Sequence, residues 1–358
     1  MPSLKEIKGR INSISSTLAI TSAMKMVASA KLQKAQMAIQ NMLPYERRLY
    51  SMLVDLMGAM NISAAASEDG SVRGSGSAER GFDQSGDRLS LSNRHDLAGM
   101  DGAYSLMAQR EVRKVAIVAF ASNSSLCGAF NSNVIREATA VINEYRASGL
   151  RDSDIVVYSV GRKMAEAMRK LGFPSPADFT KMSDSPSYEA ASALAQELFD
   201  GFVSGRFDKV ELVYNHYKST SSQPTTRQTY LPLSLADATA DLQAGKITDS
   251  ASETDTNRVA EPVGAPVVRQ GSPTTEDLIV EPSKEALIAI LLPKVIRLRI
   301  FTTLLDSAAA EHAARTVAMQ LATDNGNDLL QELTLEYNKG RQQKITSEIL
   351  DLVGGSMQ

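Results

Sequence analysis

The chain has 358 residues, enough for a sizeable core and a second domain, and a formal charge of −3, which gives no overall pull toward nucleic acid. Its single cysteine, Cys127, excludes an internal disulfide and fits a reducing compartment. No run approaches 18 apolar residues, and the charges at Lys5, Glu6, Lys8 and Arg10 leave no apolar block for a secretory signal.

From Leu4 a seam of apolar residues at heptad spacing runs through Ile7, Ile11, Ile14, Leu18, Ala28, Leu32, Ala35, Ile39, Met42, Leu49, Leu53, Leu56 and Met60. Thr21, Lys25 and Glu46 interrupt it with polar groups. This predicts one long N-terminal helix over residues 1–60, with Ser3 and Glu6 spaced as a capping box and Pro44 as a kink. The helix is basic: Lys5, Lys8, Arg10, Lys25, Lys31, Lys34, Arg47 and Arg48 stand against Glu6 and Glu46. Up to Met42 it has no aromatic residue, which argues against a nucleic-acid surface.

Residues 61–104, rich in Ser, Gly and charge, read as a flexible insert with too little apolar surface to offset ordering. Residues 105–235 read as a globular domain. Its expected strands are Val112–Phe120, Ile155–Val160 and Val210–Tyr217. They alternate with helices over Asn131–Arg146, Arg162–Leu171 and Tyr188–Val203, and Arg227–Leu233 adds an edge strand. That alternation predicts a small Rossmann-like parallel α/β domain. Residues 236–280 form an acidic linker: eight acids against Lys246, Arg258 and Arg269 between Asp237 and Asp277.

The final helix is expected over 281–358, opening at Glu281-Pro282-Ser283 with Ser283 as cap, with a kink at Pro293 and an end at Gly354-Gly355. Two seams of such length cannot be buried in one compact body. A repeat of 3.5 residues makes them coil together, antiparallel if the insert sits at one end. The fold class is α/β plus a long antiparallel coiled coil: a rod with a head.

The segment Ala121–Asn131 follows the first strand, where an α/β domain places ligand loops, but it lacks G-x-G-x-x-G and G-x-x-x-x-G-K-[ST]. Cys127 lacks a partner His in sequence and reads as a packed thiol at a strand–helix junction. No Cys/His cluster has metal spacing, and no catalytic constellation is present. An α/β enzyme with a dimerisation rod and a coiled-coil adaptor are the competing readings.

The polar positions discriminate among these. Ile20-Thr21-Ser22-Ala23-Met24-Lys25-Met26-Val27-Ala28, Glu311-His312-Ala313-Ala314-Arg315-Thr316-Val317-Ala318-Met319, Ala322-Thr323-Asp324-Asn325-Gly326, and Tyr337-Asn338-Lys339-Gly340-Arg341-Gln342 with Ile345-Thr346 closely resemble the gamma subunit of the rotary ATP synthase. Leu126-Cys127-Gly128 adds to the match. The resemblance implies a central shaft inside a ring of alternating alpha and beta subunits. It also implies a head meeting the epsilon subunit and the membrane c ring, with one copy per complex. Such a chain carries torque from a proton-driven c ring to three catalytic beta subunits. It is not an enzyme itself and holds no cofactor or metal. It sits peripherally on the cytoplasmic face of a bacterial inner membrane. The positions matched to beta contacts are Met24, Lys25, Arg315, Arg341, Gln342 and Thr346, and Glu281 matches the foot that faces the c ring. Ala19 departs from the basic residue of many relatives, and the two inserts are long. The second stands where chloroplast relatives carry a redox-regulated segment, but it has no cysteine, so thiol control is excluded.

Overall fold

In the computed structural model the residues described are 3–68, 106, 110–233 and 283–356. Glu281 and most of the two expected inserts lie outside them.

Helix α1 spans Leu4–Glu68, 65 residues, or about 98 Å at the α-helical rise. It continues past the expected end near residue 60 because Ile62, Ala64, Ala65 and Ala66 prolong a helix-forming sequence. The C-terminal helix, α6, spans Lys284–Ser356, 73 residues or about 110 Å. Pro44 and Pro293 lie inside these helices without ending them, and α6 runs through Gly354-Gly355. The caps form in part as expected. Ser3 Oγ accepts from the Glu6 N–H at 3.2 Å, and Ser283 Oγ from the Ala286 N–H at 3.1 Å. The Glu6 carboxylate turns instead to Arg10, at 2.9 Å, so the reciprocal half of the box is replaced by an i,i+4 ion pair.

The helices are antiparallel: Leu4 lies against Gly340, Leu18 against Gly326, Leu32 against Ala309 and Ala313, and Tyr50 against Arg299. Two polar breaks in the seam are matched across it. Thr323 Oγ1 donates to Thr21 Oγ1 at 3.1 Å, and Thr302 Oγ1 to the buried Glu46 carboxylate at 3.2 Å. At Gly326 the approach is so close that a Cβ would stand 2.6 Å from Leu18 Cδ2.

Between the long helices lie β1 (Val115–Phe120), α2 (Phe130–Ala147), β2 (Ile155–Val160), α3 (Arg162–Lys170), the short α4 (Thr180–Asp184), α5 (Tyr188–Val203), β3 (Lys209–Asn215) and β4 (Thr225–Leu231). The strand order is β2-β1-β3-β4. The first three are parallel, and β4 pairs antiparallel with β3, so the sheet is mixed. A crossover helix is needed only between parallel neighbours; β4 follows β3 by a short turn and must run back.

Strand β1 is buried on both sides, and its alternation divides the core. Ala116, Val118 and Phe120 face α5 and the shaft, joining Leu194, Leu198, Ile296 and Leu304. Val115, Ile117 and Ala119 face α2 and α3, joining Val134, Ile142, Met164 and Met168. The edge strand is fixed by a buried ionic cluster. Glu211 accepts from Arg227 Nε at 2.7 Å and Tyr145 Oη at 2.7 Å, and it pairs with Lys209 at 2.7 Å. Arg227 also holds Glu144. Burial pushes the Glu211 carboxyl up, but the bonds from Arg227, Lys209 and Tyr145 outweigh it and hold the group below its ordinary range.

Candidate functional site: the shaft and its junction with the head

A parallel sheet of this order would offer a ligand crevice at the carboxyl ends of its strands, where the connections diverge. Here the shaft occupies it. Leu304, Ser307, Ala308 and Glu311 of α6 abut Phe120, Ala121, Val160 and Ser183, leaving a cavity of ≈ 10 Å³. That is about the lower limit for a single water. The glycine beside it serves packing: Gly161, at φ 96°, brings β2's end so close to β1's that a Cβ would stand 2.0 Å from the Ala121 carbonyl oxygen.

The loop after β1 also serves the shaft. Asn131 Nδ2 donates to Ser122 Oγ at 2.9 Å and reaches Cys127 Sγ at 3.1 Å, so the buried thiol is held within a polar network. Cys127 and Phe130 pack against Ala310 of α6. Ser124 Oγ accepts from Arg315 Nη2 at 2.6 Å. The other arm of the same guanidinium meets Glu311 at 2.8 Å, with the two side chains 11% and 10% exposed. Burial raises the Glu311 carboxyl, with Arg315 working against it. Burial, then Arg315 and Lys31, pull His312 down to about 4, so its imidazole is neutral at physiological pH.

The turn after β3 grips the shaft from another side. His216 Nδ1 lies 2.6 Å from Asp306 Oδ2, the Tyr217 N–H donates to Asp306 Oδ1 at 2.9 Å, and Gln36 Nε2 of α1 donates to Tyr217 Oη at 2.6 Å.

The sequence-derived contact residues fall at two levels. Met24, Lys25 and Arg315 lie on the half-buried mid-shaft, Met24 and Lys25 on α1 and Arg315 on α6. Arg315 is turned inward to Ser124 and Glu311. Arg341, Gln342 and Thr346 are exposed, roughly 40 Å further along α6, and Thr346 Oγ1 bonds back to the Gln342 carbonyl at 2.9 Å. Beyond Gly340, α6 outruns the start of α1, and residues 341–350 are exposed throughout. Its apolar side chains Ile345, Ile349, Leu350, Leu352 and Val353 are 44–75% exposed. Sequence reading missed Ser124, Gln36, His216, Tyr217 and Asp306. Of the junction, only the i,i+4 spacing of Glu311 and Arg315 carried a signal.

Among the described residues no group of three His, Cys, Asp or Glu side chains is placed to hold a metal ion, and no helix is long and apolar enough to cross a membrane. A two-helix shaft that fills the ligand crevice of its own head, and leaves an apolar tip uncovered, is a mechanical subunit of a larger assembly. Comparison with known proteins gives the particular family. The ATP synthase family matches residues 3–357. The ATP synthase gamma chain of Phocaeicola vulgatus is 47% identical over 357 residues, covering 100% of both chains. That of Bacteroides thetaiotaomicron is 45% identical over 358 residues, again covering 100% of each. The chain therefore belongs to the gamma chains of ATP synthase. A solved structure of the Euglena gracilis mitochondrial ATP synthase (OSCP/F1/c-ring) contains a chain of the same fold, at TM-score 0.54 and 18% identity, covering 99% of this chain and 93% of that one.

Proposed function

We propose that this chain is the central rotor shaft of an ATP synthase. It carries torque from a proton-driven c ring to three catalytic beta subunits, and in the reverse direction couples hydrolysis to proton pumping. It does no chemistry of its own. The observation that carries the reading is the shaft itself: two antiparallel helices that extend far beyond the head, of which α6 runs on past the start of α1 into an exposed apolar tip. Burying such a tip needs a collar of partner subunits.

Torque reaches the beta sites as a population shift: each site responds because it contacts a different face of the turning shaft. Met24, Lys25, Arg315, Arg341, Gln342 and Thr346 are the proposed beta contacts, Arg315 on exchanging Ser124 and Glu311 for a beta group. Their two levels on the shaft support two separate contact rings rather than one site. The tip from Ile345 to Val353 sits in the alpha/beta collar. The head meets epsilon and the c ring, with Glu281 at the foot. One copy serves each complex, held peripherally at the cytoplasmic face of the bacterial inner membrane.

The test is ATP-driven proton pumping by inverted membrane vesicles, set against ATPase rate. Truncation after Gly340 should abolish coupling while the remaining chain still joins the complex. Full pumping per ATP without the tip would refute the assignment of the tip to torque transfer.

A further inference from the structure

We propose that the β3–β4 turn is a strap locking both shaft helices to the head, with Asp306 its positioning residue. This rests on the rotor reading above. The turn makes its own rigid frame: His216 N–H donates to the Pro224 carbonyl at 2.9 Å, and Gln223 Nε2 donates to the carbonyls of Ser219 and Thr220 at 3.0 and 2.6 Å. From that frame it reaches α6 through Asp306, whose two carboxylate oxygens are separately engaged. A carboxylate at neutral pH only accepts, so His216 carries its hydrogen on Nδ1 and both bonds are charge-assisted. From the same residue pair it reaches α1, through Tyr217 Oη and Gln36.

Such a strap is needed at this level because the shaft is smooth there. Ala308, Ala309, Ala310 and Ala313 are buried and let the helices and head approach closely, with Leu32 and Ala35 opposite. An alanine face offers apolar contact but little interlocking against sliding or twisting. Torque on two antiparallel helices loads their seam in shear. Directional bonds resist that load where dispersion contact does not. Tyr217 also packs against both small apolar clusters at this level, Leu32 with Ala309 and Ala313 and Cys127 and Phe130 with Ala310, so the polar grip and the apolar contact act on the same spot.

The test uses the assembled complex. Asp306→Asn keeps the volume but removes the charge: the bond from the Tyr217 N–H becomes neutral, and the contact with His216 survives only if the imidazole changes tautomer and accepts from the carboxamide, so both bonds lose their charge assistance. Tyr217→Phe releases only the α1 side. Hydrogen exchange of the peptide holding residues 216–222 should quicken in Asp306→Asn by roughly ten- to a hundredfold, the range for one hydrogen bond to a charged group. ATP-driven proton pumping per ATP should fall in both variants, with the ATPase rate retained. Unchanged exchange in Asp306→Asn would overturn the strap. Faster exchange with undiminished pumping in both variants would show that the strap bears no load and overturn the positioning role. If the unmutated complex itself does not pump on ATP, the rotor reading fails instead.

Discussion

Arg315→Ala removes the cation that meets Glu311 at hydrogen-bond distance, in a pair whose side chains are only 11% and 10% exposed. Breaking a buried pair by deleting one partner costs roughly 3–5 kcal/mol. Protonation sets a ceiling below the top of that range. An unpaired Glu311 can fold neutral, and at pH 7 neutralising a carboxyl of ordinary pKa 4.5 costs about 3.4 kcal/mol. The expected destabilisation is therefore about 3 kcal/mol at pH 7. The Glu311 part of that loss should shrink to under about 1 kcal/mol near pH 5, where protonation is nearly free, leaving the pH-independent loss of the bond from Arg315 to Ser124. His312 works in the same direction, since losing Arg315 relieves its depressed pKa. Arg315→Ala combined with Glu311→Gln should recover most of the Glu311 part of the loss at pH 7, but not the bond to Ser124. The assay is pulse proteolysis of the assembled complex across a urea gradient, following this chain, at pH 7 and pH 5. Equal destabilisation at both pH values, or no rescue by the added Glu311→Gln substitution, would refute the argument.

Other outcomes follow from single contacts. Gly161→Ala places a Cβ against the Ala121 backbone at a positive φ, where no side-chain motion relieves it, so the head should misfold and the chain be missing from the purified complex. Gly326→Val meets Leu18 across the seam and should destabilise by about 1–3 kcal/mol, with Leu18→Ala in the same chain restoring much of it in the same urea gradient. Arg227→Ala leaves Glu211 buried with fewer donors, so stability should fall and an added pH dependence should appear, read by thermal melting of the complex at pH 7 and 5. His312 is neutral when folded down to about 4 against an ordinary 6.5, so the unfolded chain takes up the proton first. Stability contributed there is present above 6.5 and lost as pH falls toward 4, and His312→Gln should flatten that part of the pH–stability profile.

The two long helices were legible in the sequence because a coiled-coil seam is a local pattern: each residue's face follows from its position along one helix. The same holds for the strands at Val115–Phe120 and Ile155–Val160, whose apolar runs report burial on both faces. The family resemblance came from polar positions that a seam alone does not require. Where α1 stops was less legible, since the alanines after Met60 form helix with no seam to signal it. The direction of β4 depended on its partner rather than its composition. The junction was invisible for a stronger reason. Gln36, Tyr217 and Asp306 are brought together from three distant segments, as are Ser124 and Arg315 from two. Nothing local in a glutamine, a tyrosine or a serine announces a partner roughly 90 to 190 positions away. Only packing the shaft into the crevice of the sheet decided that Arg315 faces the head and that Asp306 receives the β3–β4 turn, because that closure determines which polar groups lose water and must find each other.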